Sequence, residues 1–536
     1  GATGKYPNEG YIHPGDWARV MTTTLTGNFE QAEKGAYLLD LDLADTTDRI
    51  DVSGTAKVDG FVAINVMNPG AARTGSTDYV IIHTEEGVTD EGLAIDAIQS
   101  AVAQYKLLYP LDPQDVVLNV DINYARGGLT ENQTAVGSAI NAIQTDLTSP
   151  KFTQIAAALF YVPTLDALGA IYDSISGEGV SGFQQPEFDM NNTFLAAMTS
   201  QADSWRIGIG IDPASQSFAP KPLGYAAEPD KNPAFEALAK AEERRWKIWA
   251  TVGGNSGNVT GDPTVVGSAD LTYKGGSLAA GLDYQLDPDT LMGFALGGGA
   301  GSFSVPDRET SGNIVGGHLG AYASKKWGQL YANGAVSLDI YDNSTTRQAT
   351  VPGTDAPLNP VPGFSERWDG DFLSGGFGAK VETGWRQPVA GLGAVTGFAG
   401  LQFASLSMQG FSETSHNGDV LGLDYASRTI TSLPSSLGMQ FDTVIGLGGD
   451  TTIQPWARAA WVHEFNPDRS VNPSFLSAPG YPFVVQGAAA AEDALAVNAG
   501  FKMNWGPDTS FFATFDGKFA DNVQTYGGNA GFQVRW

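Results

Sequence analysis

Cysteine is missing from all 536 residues, which removes disulfides, thiol catalysis and thiolate-bound metals, and suits an export route in which stray thiols would be oxidised. Basic side chains are scarce. Thirty lysines and arginines stand against 59 aspartates and glutamates, a net charge of −29, and such a chain is not expected to take nucleic acid as a partner. Long apolar runs are missing too. No stretch approaches the ~18 apolar residues of a membrane helix, so the chain could cross a membrane only as a closed barrel of strands, where every backbone polar group is paired. The opening Gly1-Ala2-Thr3-Gly4-Lys5 carries no signal-peptide pattern, and a processed chain or a fragment of a longer precursor is expected.

Glycine, by contrast, is abundant at 67, and the length implies two or three domains. The clearest pattern is at the end. Tyr526, Ala530, Phe532, Val534 and Trp536 share one parity, and Thr525, Asn529, Gln533 and Arg535 the other. Phe511, Ala513, Phe515 and Phe519 likewise oppose Thr514, Asp516 and Lys518, so two strands with one apolar and one polar face form a hairpin. This period of two holds back to Trp246. Strands are read to begin near Trp246, Val265, Thr290, Asn313, Leu330, Phe372, Val395, Thr429, Thr451, Leu495, Thr509 and Val523, which makes twelve. The polar parity carries Lys380, Glu382, Arg386 and Lys502 in mid-strand. A soluble sandwich would turn these residues to water; a membrane barrel would turn them, with Arg458, into its lumen and give the apolar face to outer-membrane lipid. Aromatics toward strand ends (Trp385, Trp461, Trp505), short turns such as 286–289 and long connections at 342–370 and 466–487 favour the barrel.

Upstream, residues 1–128 read as an all-β module, either a sandwich or the last rungs of a β-solenoid. Its strands are Tyr37–Leu43, Arg49–Val52, Phe61–Val66, Tyr79–His83 and Val116–Ile122, separated by turns such as Asp59-Gly60 and Pro69-Gly70. Asp40, Asp42, Asp45, Asp48 and Asp51 do not match the spacing of a calcium loop, and strand alternation places Asp40 and Asp42 on a solvated face. From 129 to 210 the period is helical, in stretches beginning near Thr130, Phe152 and Asn192. Residues 211–245 start as an extended linker with Pro213, Pro220, Pro222 and Pro229. They end in a short helix from Pro233 to Arg245, whose Glu236, Lys240, Glu243 and Arg244 suit a polar tunnel better than an apolar core.

Signs of chemistry are few. None of the five histidines has a metal-ligand spacing, and His463-Glu464 lies on a strand, where neighbours face opposite ways. Gly179-Val180-Ser181-Gly182 lacks the setting of a nucleophile elbow. Gly297-Gly298-Gly299-Ala300-Gly301 has no Lys-Ser/Thr after it and suits barrel packing better than a phosphate loop. No catalytic residue, metal or cofactor is expected, and the chain is not expected to be an enzyme.

Residues 246–536 resemble the translocator barrel of monomeric autotransporters, the type V secreted proteins. The resemblance is carried by Trp246-Lys247-Ile248-Trp249-Ala250, Gly281-Leu282-Asp283-Tyr284-Gln285-Leu286, Gly317-His318-Leu319-Gly320-Ala321-Tyr322, the run Pro455 to Phe465, and the closing Gly531-Phe532-Gln533-Val534-Arg535-Trp536. Upstream, Leu129-Thr130-Glu131-Asn132-Gln133, Leu165-Asp166-Ala167-Leu168 and Ser176-Gly177-Glu178 resemble the helical segment that precedes such barrels. The resemblance implies a 12-stranded antiparallel outer-membrane barrel plugged by the 233–245 helix, with the first residues displayed outside the cell as a passenger stem. It also implies that Phe532, Val534 and Trp536 form the insertion signal read by the barrel-assembly machinery. Some members cut their own linker inside the barrel with an asparagine and nearby acids; the 233–245 helix offers only Asn232 at its cap, and no cleavage is expected there. Two other readings stand beside this one: an outer-membrane pore or scaffold with a periplasmic N-terminal domain, and a surface enzyme or adhesin whose effector precedes Gly1.

Overall fold

The computed structural model describes residues 8–44, 46–110, 114–147, 149–206, 245–354, 360–390, 392–418, 420–506 and 508–536. Its N-terminal module is a solenoid. One sheet stacks Tyr11–Ile12, Ala36–Asp42, Phe61–Met67 and Ala94–Asp96 in parallel, Tyr11 pairing with Ala36 and Ala36 with Phe61, a step of 25 residues each time. A second face stacks Phe29–Glu30, Ala56–Val58 and Val88–Asp90, and a third Thr22–Leu25, Arg49–Val52 and Gly75–Thr84. A sandwich of hairpins would be antiparallel. Here each strand turns onto the next face, so its parallel partner comes one full turn later, and Tyr37, Leu39, Ile50, Val52, Val58 and Val62 fill the interior. The last two strands, Ala103–Leu108 and Asp115–Ile122, join the third face antiparallel and close the stack on that side.

Alternation misplaces Asp40. Asp40 and Asp48 are fully buried, not solvated, because they accept backbone N–H groups at the end of the solenoid: Asp48 from Met21 and Asp40, and Asp40 from Arg19. Asp45 lies outside the described residues.

Among the described residues, four α-helices follow. α1 (Glu131–Asp146) starts on a reciprocal cap in which Gln133 N–H donates to the Thr130 hydroxyl and the Gln133 side chain accepts from Thr130 N–H. The second helical stretch is two helices, α2 (Phe152–Phe160) and α3 (Leu165–Ile175), because Pro163 breaks the ladder and Thr164 caps a fresh start. Gly177, at φ +70°, turns the chain through a short 3-10 helix (Glu178–Phe183) into α4, Gln184–Arg206. A Cβ at Gly177 would also strike Leu423 and Tyr425 of an outer connection.

From Trp246 the chain builds a closed antiparallel barrel of twelve strands: Trp246–Val259, Leu271–Asp287, Thr290–Val305, Thr310–Trp327, Leu330–Val351, Phe364–Val389, Gly393–Met408, Pro434–Asp442, Thr451–Glu464, Asp493–Trp505, Thr509–Phe519 and Val523–Arg535. The first strand pairs with the last, Lys247 opposite Arg535 and Val259 opposite Val523. Three starts differ from expectation. The second strand begins at Leu271, since Val265 and Val266 instead offer their carbonyls to Glu131 and Asn132 of α1. The sixth begins earlier, at Phe364, and the eighth is preceded by a separate short strand, Arg428–Ser432, on the far end of the seventh.

Polarity is inverted relative to a soluble barrel. Phe294, Leu296 and Val252 are 68%, 65% and 64% exposed on the outside, whereas Asp283 and Gln533 are 0% and 1% exposed within. Outward-facing Trp246, Trp327, Trp385, Trp505 and Trp536 gather at the rim where the barrel begins and ends, and Trp536 N–H donates to the Trp246 carbonyl across the seam. An apolar belt with an aromatic girdle is what a barrel in lipid requires.

Candidate functional site

The lumen holds α4. Its 23 residues rise roughly 35 Å at 1.5 Å each, more than the ~25 Å apolar band. The helix enters by the rim opposite the tryptophans and ends beside them, where Gln201 meets Gln533 of the last strand. Residues 233–244 of the expected plug, with Glu236, Lys240, Glu243 and Arg244, lie outside the described residues. The helix seen inside the barrel, α4, belongs to the 129–210 helical segment that precedes the linker.

One side of α4 lies against the wall. Phe194, Leu195 and Met198 pack with Trp249, Ala279, Ala295, Tyr322 and Ala335, and the Phe194 ring stacks on His318 with centroids 5.1 Å apart. The glycine run of the third strand makes this approach possible: a Cβ at Gly297 would come within 2.8 Å of the Phe194 ring, and one at Gly299 within 2.8 Å of Met190. The stretch with a superficial likeness to a phosphate loop is the groove in which the helix sits.

Polar pairs fix its rotation and depth. Asn191 Nδ2 donates to Asp339 Oδ2 (2.6 Å) and Ser337 Oγ (2.7 Å), and Asp339 Oδ1 holds His318 Nδ1 at 2.7 Å. Higher up, Asn343 Nδ2 donates to Glu187 Oε1 at 2.8 Å. Near the tryptophan rim, Asp203 pairs with Arg206 and accepts from Asn333 Nδ2 (3.1 Å), while the Arg206 guanidinium lies 3.3 Å from the Tyr331 ring centroid. Within the wall itself, Lys247 Nζ sits 2.5 Å from Asp283 Oδ2, and Trp249 Nε1 donates to the Tyr322 hydroxyl at 2.8 Å.

The charges read as lumenal fall into this network as follows. Glu382 is buried and pairs with Arg458, and the Tyr331 hydroxyl donates to it at 2.8 Å; Arg458 also faces Asp203 of α4 at 4.0 Å. Arg386 pairs with Asp442 at 2.6 Å. Lys380 and Lys502, together with Gln402 and Asp516, line a cavity of about 290 Å³ on the side of the lumen that α4 leaves open. Phe532, Val534 and Trp536 stand exposed on the outer face of the last strand and its end.

Above the strand ends the outer connections grip the helical segment. Arg308 Nε meets Glu178 Oε2 at 2.7 Å and Arg308 lies 3.5 Å from Asp173, while Gln184 and Ser470 exchange two hydrogen bonds. Burial pushes the Glu178 carboxyl up to about 7, against the pull of Arg308. His463 and Glu464 part as a strand requires: His463 faces Asp493 at 2.9 Å, and Glu464 turns inward to Ser432.

What the sequence reading missed is the use of α4. Its signal was present in Met190, Phe194, Met198, Ala202 and Trp205, spaced by four and three along an otherwise polar helix, a narrow apolar stripe suited to one wall of a polar tube.

The chain resembles solved translocator structures: that of the autotransporter NalP from Neisseria meningitidis (16% identity, 67% of this chain and 98% of that one, TM-score 0.46) and the β domain of the Bordetella autotransporter BrkA (18%, 55% and 100%, 0.37). The transport unit of AIDA-I from Escherichia coli is similar at 10% identity, over 55% and 90% of the two chains, with a TM-score of 0.33. No curated protein sequence matches. Residues 248–516, half of the chain and most of the barrel, match the autotransporter beta-domain family. The chain belongs to that family, and its barrel is an outer-membrane translocator that exports a passenger.

Proposed function

We propose that residues 1–128 are a passenger stem held outside the cell, that 129–183 form a collar on the outer rim, and that α4 is the tether left in the lumen once export has finished. One observation carries this reading: α4 runs through the lumen from the collar to the rim holding Trp246 and Trp536, so the solenoid stands on the side of the long connections. In that orientation the wall faces outer-membrane lipid, and Phe532, Val534 and Trp536 are presented to the barrel-assembly machinery. The described part holds, binds and displays without catalysing turnover of a substrate. Protease shaving of intact cells tests the orientation. Loss of epitopes in residues 1–180 with retention of the barrel supports it, and protection until the outer membrane is broken favours a periplasmic N-terminal domain.

A second reading, release of the stem, is favoured by Asn191-Asn192. Asn191 is buried in mid-lumen with its amide nitrogen 2.6 Å from Asp339. Attack of Asn191 Nδ2 on its own carbonyl carbon would break the bond to Asn192. The proton leaving Nδ2 would pass by way of Asp339 to the departing Asn192 nitrogen, and water would later open the cyclic imide. Mass spectrometry of the purified protein decides between tether and release. A fragment beginning at Asn192, abolished by Asn191→Ala and Asp339→Asn, establishes cleavage; an intact chain in every sample establishes the permanent tether.

A further inference from the structure

At the end of the solenoid farthest from the helices, three side chains from two successive turns converge. His13 follows the strand Tyr11–Ile12, Asp40 lies on Ala36–Asp42, and Asp48 precedes Arg49–Val52. His13 Nε2 is 3.6 Å from Asp40 Oδ2 and 3.9 Å from Asp48 Oδ2, and one ligand atom of each residue lies within 4.8 Å of the other two. The carboxylates are held firmly. Asp40 accepts Arg19 N–H (2.9 Å) and Asn65 Nδ2 (2.6 Å); Asp48 accepts Met21 N–H (2.8 Å) and Asp40 N–H (3.0 Å).

Two features are unexplained by packing. Both aspartate side chains are 0% exposed, and among the described residues neither has a lysine or arginine partner, which leaves two buried negative charges facing one imidazole. The imidazole nitrogen aimed at them is itself shut off from solvent and makes no hydrogen bond. Elsewhere in this chain histidine closes on aspartate directly, at 2.6 Å for His83 and Asp115 and 2.7 Å for His318 and Asp339. Around His13 the same groups stand about one ångström farther apart. That gap suits an ion: ligand bonds of ~2.0–2.2 Å in a tetrahedron separate the ligands by roughly 3.3–3.6 Å.

We infer that His13, Asp40 and Asp48 bind a divalent transition-metal ion of the zinc type, with water completing the set. One imidazole nitrogen and two carboxylate oxygens suit zinc, cobalt or manganese, whereas calcium wants six to eight oxygens. Asn65 and the backbone N–H groups act behind the ligands, fixing the carboxylates in place. The ion would fasten the first described strand to the turns behind it and so stabilise the end of the solenoid. Sequence reading set Asp40 and Asp48 aside for want of a calcium-loop spacing; the ligand it missed is His13, which comes from the preceding turn and lies far from both along the chain.

Metal analysis of the full-length, detergent-extracted protein tests this. The protein is stripped with chelator, loaded with zinc and dialysed. About one equivalent of zinc should remain in the wild type and in His83→Ala, and none in His13→Ala. X-ray absorption at the zinc edge of the wild-type protein should show one imidazole among oxygen ligands, a readout independent of how any variant folds. Loss of zinc from the wild type on dialysis, equal retention by His13→Ala, or a spectrum without imidazole overturns the inference.

Discussion

The side-chain amide of Asn132 stands in for a backbone partner of Gln486, 354 residues away: its Nδ2 donates to the Gln486 carbonyl at 2.7 Å and its Oδ1 accepts the Gln486 N–H at 2.8 Å. The same Nδ2 reaches the Gly267 carbonyl at 3.3 Å. One buried residue thus clips α1 to two outer connections of the barrel. Asn132→Ala should leave these groups without partners, at about 1–3 kcal/mol for each that water cannot reach. The expected outcome is a lower melting temperature and faster proteolysis of the 466–490 connection with the barrel intact, read by limited digestion in detergent. Digestion at the wild-type rate would show that the clip adds nothing.

The groove at Gly297 and Gly299 sets how closely the helix seats. Gly297→Val should push the Phe194 ring off the wall, an overpacking effect of about 1–3 kcal/mol. In planar bilayers the variant should conduct more than wild type, and a chain lacking residues 184–206 more again. If all three conduct alike, the helix is not what closes the lumen.

Glu178 gives the collar a pH dependence. Its folded carboxyl titrates at about 7, above an ordinary value of 4.5, so the native state keeps a proton that the unfolded chain has already released between those values. Its contribution to stability is fully present below about pH 4.5 and is lost as pH rises through about 7. Glu178→Gln cannot ionise. Melting temperatures measured from about pH 5 to 8 should therefore shift steadily in the variant's favour relative to wild type, and a difference constant over that range refutes the assignment.

The end of the last strand should govern assembly. Removing Trp536 takes away both a girdle side chain and the N–H that closes the seam onto Trp246. Phe532→Ala takes away an outward ring packed 5.3 Å from Phe511. Either change should lower the amount of heat-resistant barrel in outer-membrane fractions several-fold while leaving synthesis unchanged. Equal amounts of folded barrel would separate this strand end from the insertion signal.

Most of the barrel was legible in the sequence because its cause is local. Alternate residues of a strand face lipid and lumen, so the parity of Leu338 and Ile340 against Ser337 and Asp339 is visible without a partner strand. Solenoid and sandwich could not be separated that way, since both need buried alternation and differ only in which distant strand lies alongside. The lumenal helix was missed for a related reason. Propensity and charge favoured the segment ending at Arg245, while α4, rich in Asn, Gln, Ser and Thr, has polar positions whose partners are scattered over strands 84 to 332 residues away. The metal-binding triad is more hidden still, because it exists only once the turns are stacked.

The cavity left beside α4, about 290 Å³, is no larger than the smallest ordinary ligand pockets, which begin near ~300 Å³. On the proposed reading, in which α4 is the tether left after export, its seating on the glycine groove closes the barrel to further traffic, and the molecule is a device used once.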